Sequence, residues 1–234
     1  MVSFFFLEAM RKANEFLIKN FDKTGRTAFF PPEQFSWVNE VEKSWEIIRK
    51  ELDELLKQKE IASYYELFDG VLHKDIKRND WKVFFFVFYG DYLKENCSKC
   101  PKTVEIINKI PNKITAFFSL VEAGKDIPEH RGSYRGFLRY HLGLKIPEPL
   151  TESGIRLNNE TKYWEEGKSL LFDDSFYHKA WNNTKENKVI LIIDIERPLN
   201  IFLEKINKFF IKRILKSNYM KKTREIISQR QTSS

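Results

Sequence analysis

With 234 residues, 42% of them hydrophobic and 15% aromatic, the chain is long enough to bury one large core and of ordinary size for a single all-β barrel. Its two cysteines, Cys97 and Cys100, exclude a disulfide scaffold, and no second Cys or His pair at ligand spacing completes a zinc site. The net charge of +7 has one source: residues 199–234 hold nine Lys or Arg against two Glu, so residues 1–198 are neutral, and no nucleic-acid partner is expected.

The N-terminus carries no basic residue ahead of its short apolar run, and the longest apolar run, VFFFVFYG, is far below the ~20 residues of a membrane span. A cytoplasmic protein is expected, peripheral on the inner membrane face at most. The first 60 residues or so read as helical. Apolar residues recur at 4, 7, 10, 13, 17 and 21, then Pro31 and Pro32 break the pattern. Phe35, Val38, Val41, Trp45, Ile48, Leu52 and Leu55 then share one helical face. DWKVFFFVFYG is a strand by its aromatics, and CPKTVEIINKIP a short helix opened by proline. From about residue 114, strand-like runs follow one another with Gly, Pro and Asn/Asp turns between them, the pattern of a sandwich or barrel. After Pro198 an amphipathic basic helix is predicted. The expected fold is α+β: a double-stranded β-helix over about 80–198, helices before it, and 199–234 as a basic C-terminal helix and tail, with 1–198 a single domain.

Alternation assigns faces within the strands. In GFLRYHLGL, Leu138, Tyr140, Leu142 and Leu144 share one face, and Phe137, Arg139, His141 and Gly143 the other. KVILIIDI is apolar on both faces at its centre, so it is covered on both sides, and Lys188 heads the face that continues through Ile190 and Ile192. SLLFDDSFYH ends in Asp173 and Asp174, with His178 four residues after Asp174. Three of the four histidines, His130, His141 and His178, thus lie within 49 residues beside Arg139, Lys188 and two aspartates. Two neutral imidazoles suit Fe(II), Zn or Cu, but a His-x-Asp/Glu iron motif is incomplete here, because HRG has Gly132 at the carboxylate position.

The stretches HRGSYRGFLRYHLGL, NETKYWEEGKSLLFDDSFYHKAWN and VILIIDIERP resemble the aspartyl/asparaginyl β-hydroxylase family from about Phe29 to Pro198. The resemblance implies a dioxygenase using Fe(II), 2-oxoglutarate and O2, in which His-x-Gly is the family's own pattern and two histidines hold the metal. It implies His130 and His178 as iron ligands, and Trp81, Ser119, Arg139 and His141 around 2-oxoglutarate. Asp174 is expected to act catalytically by orienting water at the metal. Lys188 stands where the family usually has arginine, which keeps the charge and loses the bidentate fork. Phe137 stands where animal members have an arginine for an acidic substrate, and the wording is closer to the bacterial branch that includes lipid A hydroxylases. A lipid acyl chain met by Phe137 is therefore the expected substrate, with an aspartyl, asparaginyl or amino-acid-like substrate, or an inactive binding barrel, as alternatives. Residues 199–230 either pack on the barrel or meet an anionic membrane surface.

Overall fold

A computed structural model describes residues 4–58, 61–63, 81–132, 134–217, 221, 224–227 and 229. The N-terminal pattern becomes α1 (Phe4–Phe21). The second expected helix is two, α2 (Val38–Lys43) and α3 (Trp45–Gln58). The break falls at Ser44, whose hydroxyl donates to the Glu40 carbonyl at 2.8 Å; such local bonding competes with the helical ladder. Val38, Val41, Ile48, Leu52 and Leu55 remain on the core side. Two short helices follow later, α4 (Lys94–Lys99) and α5 (Pro101–Asn108), the second opened by proline.

The strands are β1 (Phe29–Phe30), β2 (Ala62–Ser63), β3 (Trp81–Phe88), β4 (Asp91–Tyr92), β5 (Lys113–Val121), β6 (Lys125–His130), β7 (Phe137–Lys145), β8 (Ser153–Leu157), β9 (Glu160–Tyr163), β10 (Ser169–Phe172), β11 (His178–Asn182) and β12 (Lys188–Glu196). The larger sheet runs β1-β10-β7-β12-β5-β3-β2, with β4 on β3; the smaller runs β6-β11-β8-β9, and all these pairs are antiparallel. Two such sheets closing on one core make the expected double-stranded β-helix. β6 escapes the alternation rule because DIPEH is polar and holds Pro128. It is an edge strand, where proline is tolerated.

The larger sheet is buried on both faces, hence its long apolar runs. One face packs Phe84, Phe86, Phe118, Leu138, Tyr140, Leu191 and Ile193 against α2, α3 and α5. The other encloses Phe85, Phe117, Phe172, Ile190, Ile192 and Trp164 between the sheets. Each such side chain contributes about 1.5–3 kcal/mol by burial, enough to carry several polar groups among them. The last helix, α6 (Ile201–Leu215), is capped by Asn200, whose side chain accepts from Leu203 N at 3.1 Å. It lies on α1 and seats Leu203, Phe210 and Ile211 against the body.

Candidate active site

His130 ends β6 and His178 begins β11, and the two are register partners. Their rings are 4.2 Å apart between centroids. Each ring is held the same way: His130 Nδ1 donates to the Pro128 carbonyl at 2.8 Å, and His178 Nδ1 to the Phe176 carbonyl at 2.9 Å. A carbonyl only accepts, so Nδ1 carries the proton in both and the lone pair sits on Nε2, the form an imidazole needs to bind a metal. No group of three His, Cys, Asp or Glu able to hold a metal exists among the described residues. Arg131 and Tyr177, the neighbours of the two histidines, are 40% and 60% exposed, which places the pair at the rim of the barrel.

A carboxylate from elsewhere in the chain, Asp174, lies against Gly132 of HRG. A Cβ at Gly132 would fall inside the Asp174 carboxylate, and Gly132 N donates to the Asp174 carbonyl at 2.7 Å. Glycine at 132 is what lets Asp174 approach. Burial raises the Asp174 carboxyl well above its usual value, against the pull of Arg139 at 3.2 Å. Arg139 also makes a two-pronged pair with Asp194, at 2.7 and 3.0 Å. Burial would lower its pKa, but Asp194 and Asp174 outweigh that and hold the guanidinium charged. Arg139 thus points into the barrel, where three of its five N–H groups face the carboxylates of Asp194 and Asp174.

Deeper in the barrel lies a cation with a different setting. Lys188 is 1% exposed, its ammonium sits 3.5 Å from the centroid of the Trp164 ring, and no carboxylate pairs with it among the described residues. Burial pushes it down to about 7. Trp164 Nε1 donates to His141 Nδ1 at 3.3 Å, which puts the His141 proton on Nε2, a buried atom with no partner. Burial, with Arg139, Lys188 and His178 nearby, keeps His141 neutral. The His141 ring abuts Phe172 at 4.8 Å, and Phe172 abuts His178 at 6.0 Å, so the chain of contacts from Lys188 reaches the metal pair. On the neighbouring strands Ser119 is buried and accepts from Trp81 Nε1 at 2.8 Å, leaving the hydroxyl proton to donate; Trp81 pairs with Val121, and Val121 with Lys188. The site therefore presents a cation, a hydroxyl and an imidazole N–H in one dry enclosure, a donor set that fits a dicarboxylate.

Phe137 is not with them. It packs edge-on to Tyr134 at 5.2 Å, in the cluster that seats Phe210 of α6, so the expected substrate contact becomes a foothold for the C-terminal helix. Two residues of the enclosure went unassigned from sequence, Trp164 and Asp194. Asp194 had a signal, since it continues the inward alternation from Lys188; Trp164 follows a strand end, where alternation stops applying. Cys97 and Cys100 lie away from the site in the core on the helix side of the sheet, where an open cleft over α3 is lined by Glu46, Arg49, Lys50 and Asp53.

Paired histidines at the rim of a double-stranded β-helix, with a buried cation that no carboxylate pairs among the described residues, define a hydroxylase-type barrel. The model of the family described as Aspartyl/Asparaginyl beta-hydroxylase matches residues 42–198, and the chain belongs to that family. It is 39% identical over 197 residues to an ornithine lipid ester-linked acyl 2-hydroxylase of Rhizobium tropici, covering 83% of this chain and 69% of that one. It is 33% identical over 166 residues to the human aspartyl/asparaginyl beta-hydroxylase, covering 69% of this chain and 21% of the human protein. A third relative, aspartate beta-hydroxylase domain-containing protein 2 of Rattus norvegicus, is 30% identical, covering 74% of this chain and 51% of the rat protein. The chain thus spans only a fifth to a half of its mammalian relatives. No helix among the described residues is long and apolar enough to cross a membrane.

Proposed function

We propose that the protein is an Fe(II)- and 2-oxoglutarate-dependent dioxygenase that hydroxylates an unactivated carbon of a lipid acyl chain. The observation that carries the reading is the unpaired Lys188 ammonium beside the unpaired His141 Nε2–H, both facing the interior behind the histidine pair. One dicarboxylate answers both. Its far carboxylate pairs with Lys188 and accepts from Ser119 and His141, while Trp81 and Trp164 form apolar walls. His130 and His178 hold the iron through Nε2, with their rings fixed by the carbonyls of Pro128 and Phe176. Iron with 2-oxoglutarate and O2 supplies the oxidising chemistry, one oxygen atom entering a substrate C–H bond and the other passing to succinate as CO2 leaves. Asp174, held by Arg139, is the carboxylate available to orient water beside the metal, and the enclosure keeps bulk water from the reaction.

The lipid substrate is supported by the 39% identity to an acyl 2-hydroxylase. The test is anaerobic Fe(II) titration, then 2-oxoglutarate turnover with mass spectrometry of a bacterial lipid extract. A gain of one oxygen on an acyl chain is expected. His130→Ala and His178→Ala should each lose iron and turnover while keeping the circular-dichroism spectrum. Stoichiometric iron in either variant overturns the ligand assignment, and oxygen on Asp or Asn peptides with none on lipid overturns the substrate.

A further inference from the structure

The C-terminal helix does not have the single apolar stripe that its sequence spacing suggests. Leu203, Phe210 and Ile211 turn inward, whereas Ile201, Phe202 and Phe209 are each more than half exposed and stand among Lys205, Lys212 and Lys216. Phe202 and Phe209 are two turns apart on one flank. α1 repeats the arrangement, since Phe16 and Phe21 are also more than half exposed, 6.5 Å apart, with Lys19 and Lys23 exposed beside them. The two helices run antiparallel. Asn200 bonds to Asp22 and to the Phe21 carbonyl at one end, and Asn14 Nδ2 donates to Asn207 Oδ1 at 3.2 Å midway. Phe16, Phe21, Ile201 and Phe202 therefore gather at one end of the helix pair. A soluble body gains nothing by exposing so many aromatic rings, and their placement within a collar of cations is the composition of a membrane-surface helix.

The pair also sits beside the metal rim. Glu15 of α1 lies 3.6 Å from Arg131, the residue after His130, and accepts from Arg135 N at 3.3 Å. We infer that α1 and α6 together form a docking face for an anionic lipid bilayer, which sets the rim of the barrel against the surface that holds the substrate. Charge complementarity selects that occupant, because α6 carries four Lys or Arg and one Glu. The inference rests on the lipid-substrate reading for its purpose but not for its test.

The experiment is sedimentation of the full chain with phosphatidylcholine vesicles and with phosphatidylcholine–phosphatidylglycerol vesicles. Binding to the anionic vesicles alone is expected, weakening as salt rises. Phe202→Glu with Phe209→Glu, and separately Lys205→Glu with Lys212→Glu, should each cut that binding roughly tenfold or more. These positions are exposed, so folding and vesicle-free 2-oxoglutarate turnover should be unchanged. Equal partition to both vesicle types, or full binding by the phenylalanine variant, overturns the docking face. Vesicle binding by a protein that oxidises no lipid overturns the substrate reading and leaves the face standing.

Discussion

Affinity for 2-oxoglutarate should fall as pH rises above neutrality, with Lys188 setting the slope. In the ligand-free protein burial pushes the ammonium down to about 7, because Trp164 is its nearest partner and offers no full negative charge. A carboxylate at contact distance stabilises the charged form and returns the pKa toward the ordinary lysine value of about 10.4. Between those two values the complex must take up one proton that the free protein has released. Each pH unit there weakens binding by up to about tenfold, or 1.36 kcal/mol. From pH 7 to pH 9 the charged fraction of free Lys188 falls from about a half to about a hundredth, so the dissociation constant should rise roughly fiftyfold. His141, whose pKa burial pushes well below its usual value, is silent in this window. The raised Asp174 carboxyl is not, so a comparison is required. Lys188→Arg keeps the positive charge at every pH and leaves Asp174 untouched, so its slope should shrink to whatever Asp174 contributes. The assay is anaerobic calorimetric titration of Mn(II)-loaded protein with 2-oxoglutarate, in two buffers of different ionisation enthalpy, to count the proton. A wild-type change under about threefold, or an equal slope in Lys188→Arg, would refute the reasoning, since a single titrating lysine demands more.

Gly132→Ala forces its methyl into the Asp174 carboxylate and should cost about 1–3 kcal/mol in chemical denaturation. Adding Asp174→Ala to it should cost less than the sum of the two single changes, and strict additivity would show that the two positions do not compete for one space. Asn200→Ala removes the cap that satisfies Leu203 N and should lower the stability of the full chain by about 1 kcal/mol, read from the urea midpoint; no change would mean the cap is replaced by solvent. The histidine substitutions and the vesicle experiment test the metal and the surface independently of these.

The barrel was legible because alternation and full burial leave few choices. Alternation assigned Lys188, Ile190 and Ile192 to one face of β12, and the structure adds the register, with Ile192 opposite His141 and Asp194 opposite Arg139. What could not be read was who pairs with whom across the enclosure. The sequence names Arg139 but not its partner Asp194, which lies opposite it in the register and accepts from its fork. Phe137 shares the inward face of β7, yet it lies two residues beyond Arg139, where the barrel ends and α6 begins. Periodicity counts faces; it cannot say where along a strand the interior stops. The break at Ser44 escaped for a related reason, since the apolar spacing continues through it while only a side-chain hydrogen bond marks it. In α6, helical spacing predicted one stripe, but the residues that turn inward are Leu203, Asn207, Phe210 and Ile211.

The loop between His130 and β7 is held by three residues far apart in the chain. Tyr134 OH meets Asn14 and Asn207 in a buried cluster, and Asn207 Nδ2 donates to the Gly136 carbonyl at 3.0 Å. Two of the three clamps belong to opposite ends of the polypeptide. During synthesis, then, every strand of the barrel emerges before the last clamp exists, and the segment carrying the first histidine waits on residues some seventy places downstream. Closing so long a loop late in folding is slow and leaves apolar surface around Tyr134 and Phe137 uncovered in the meantime. A chain released before α6 is made would hold every strand of the barrel and still lack the clamp on Tyr134 and Gly136, so a truncated protein should meet the cell's quality control as an unfinished one.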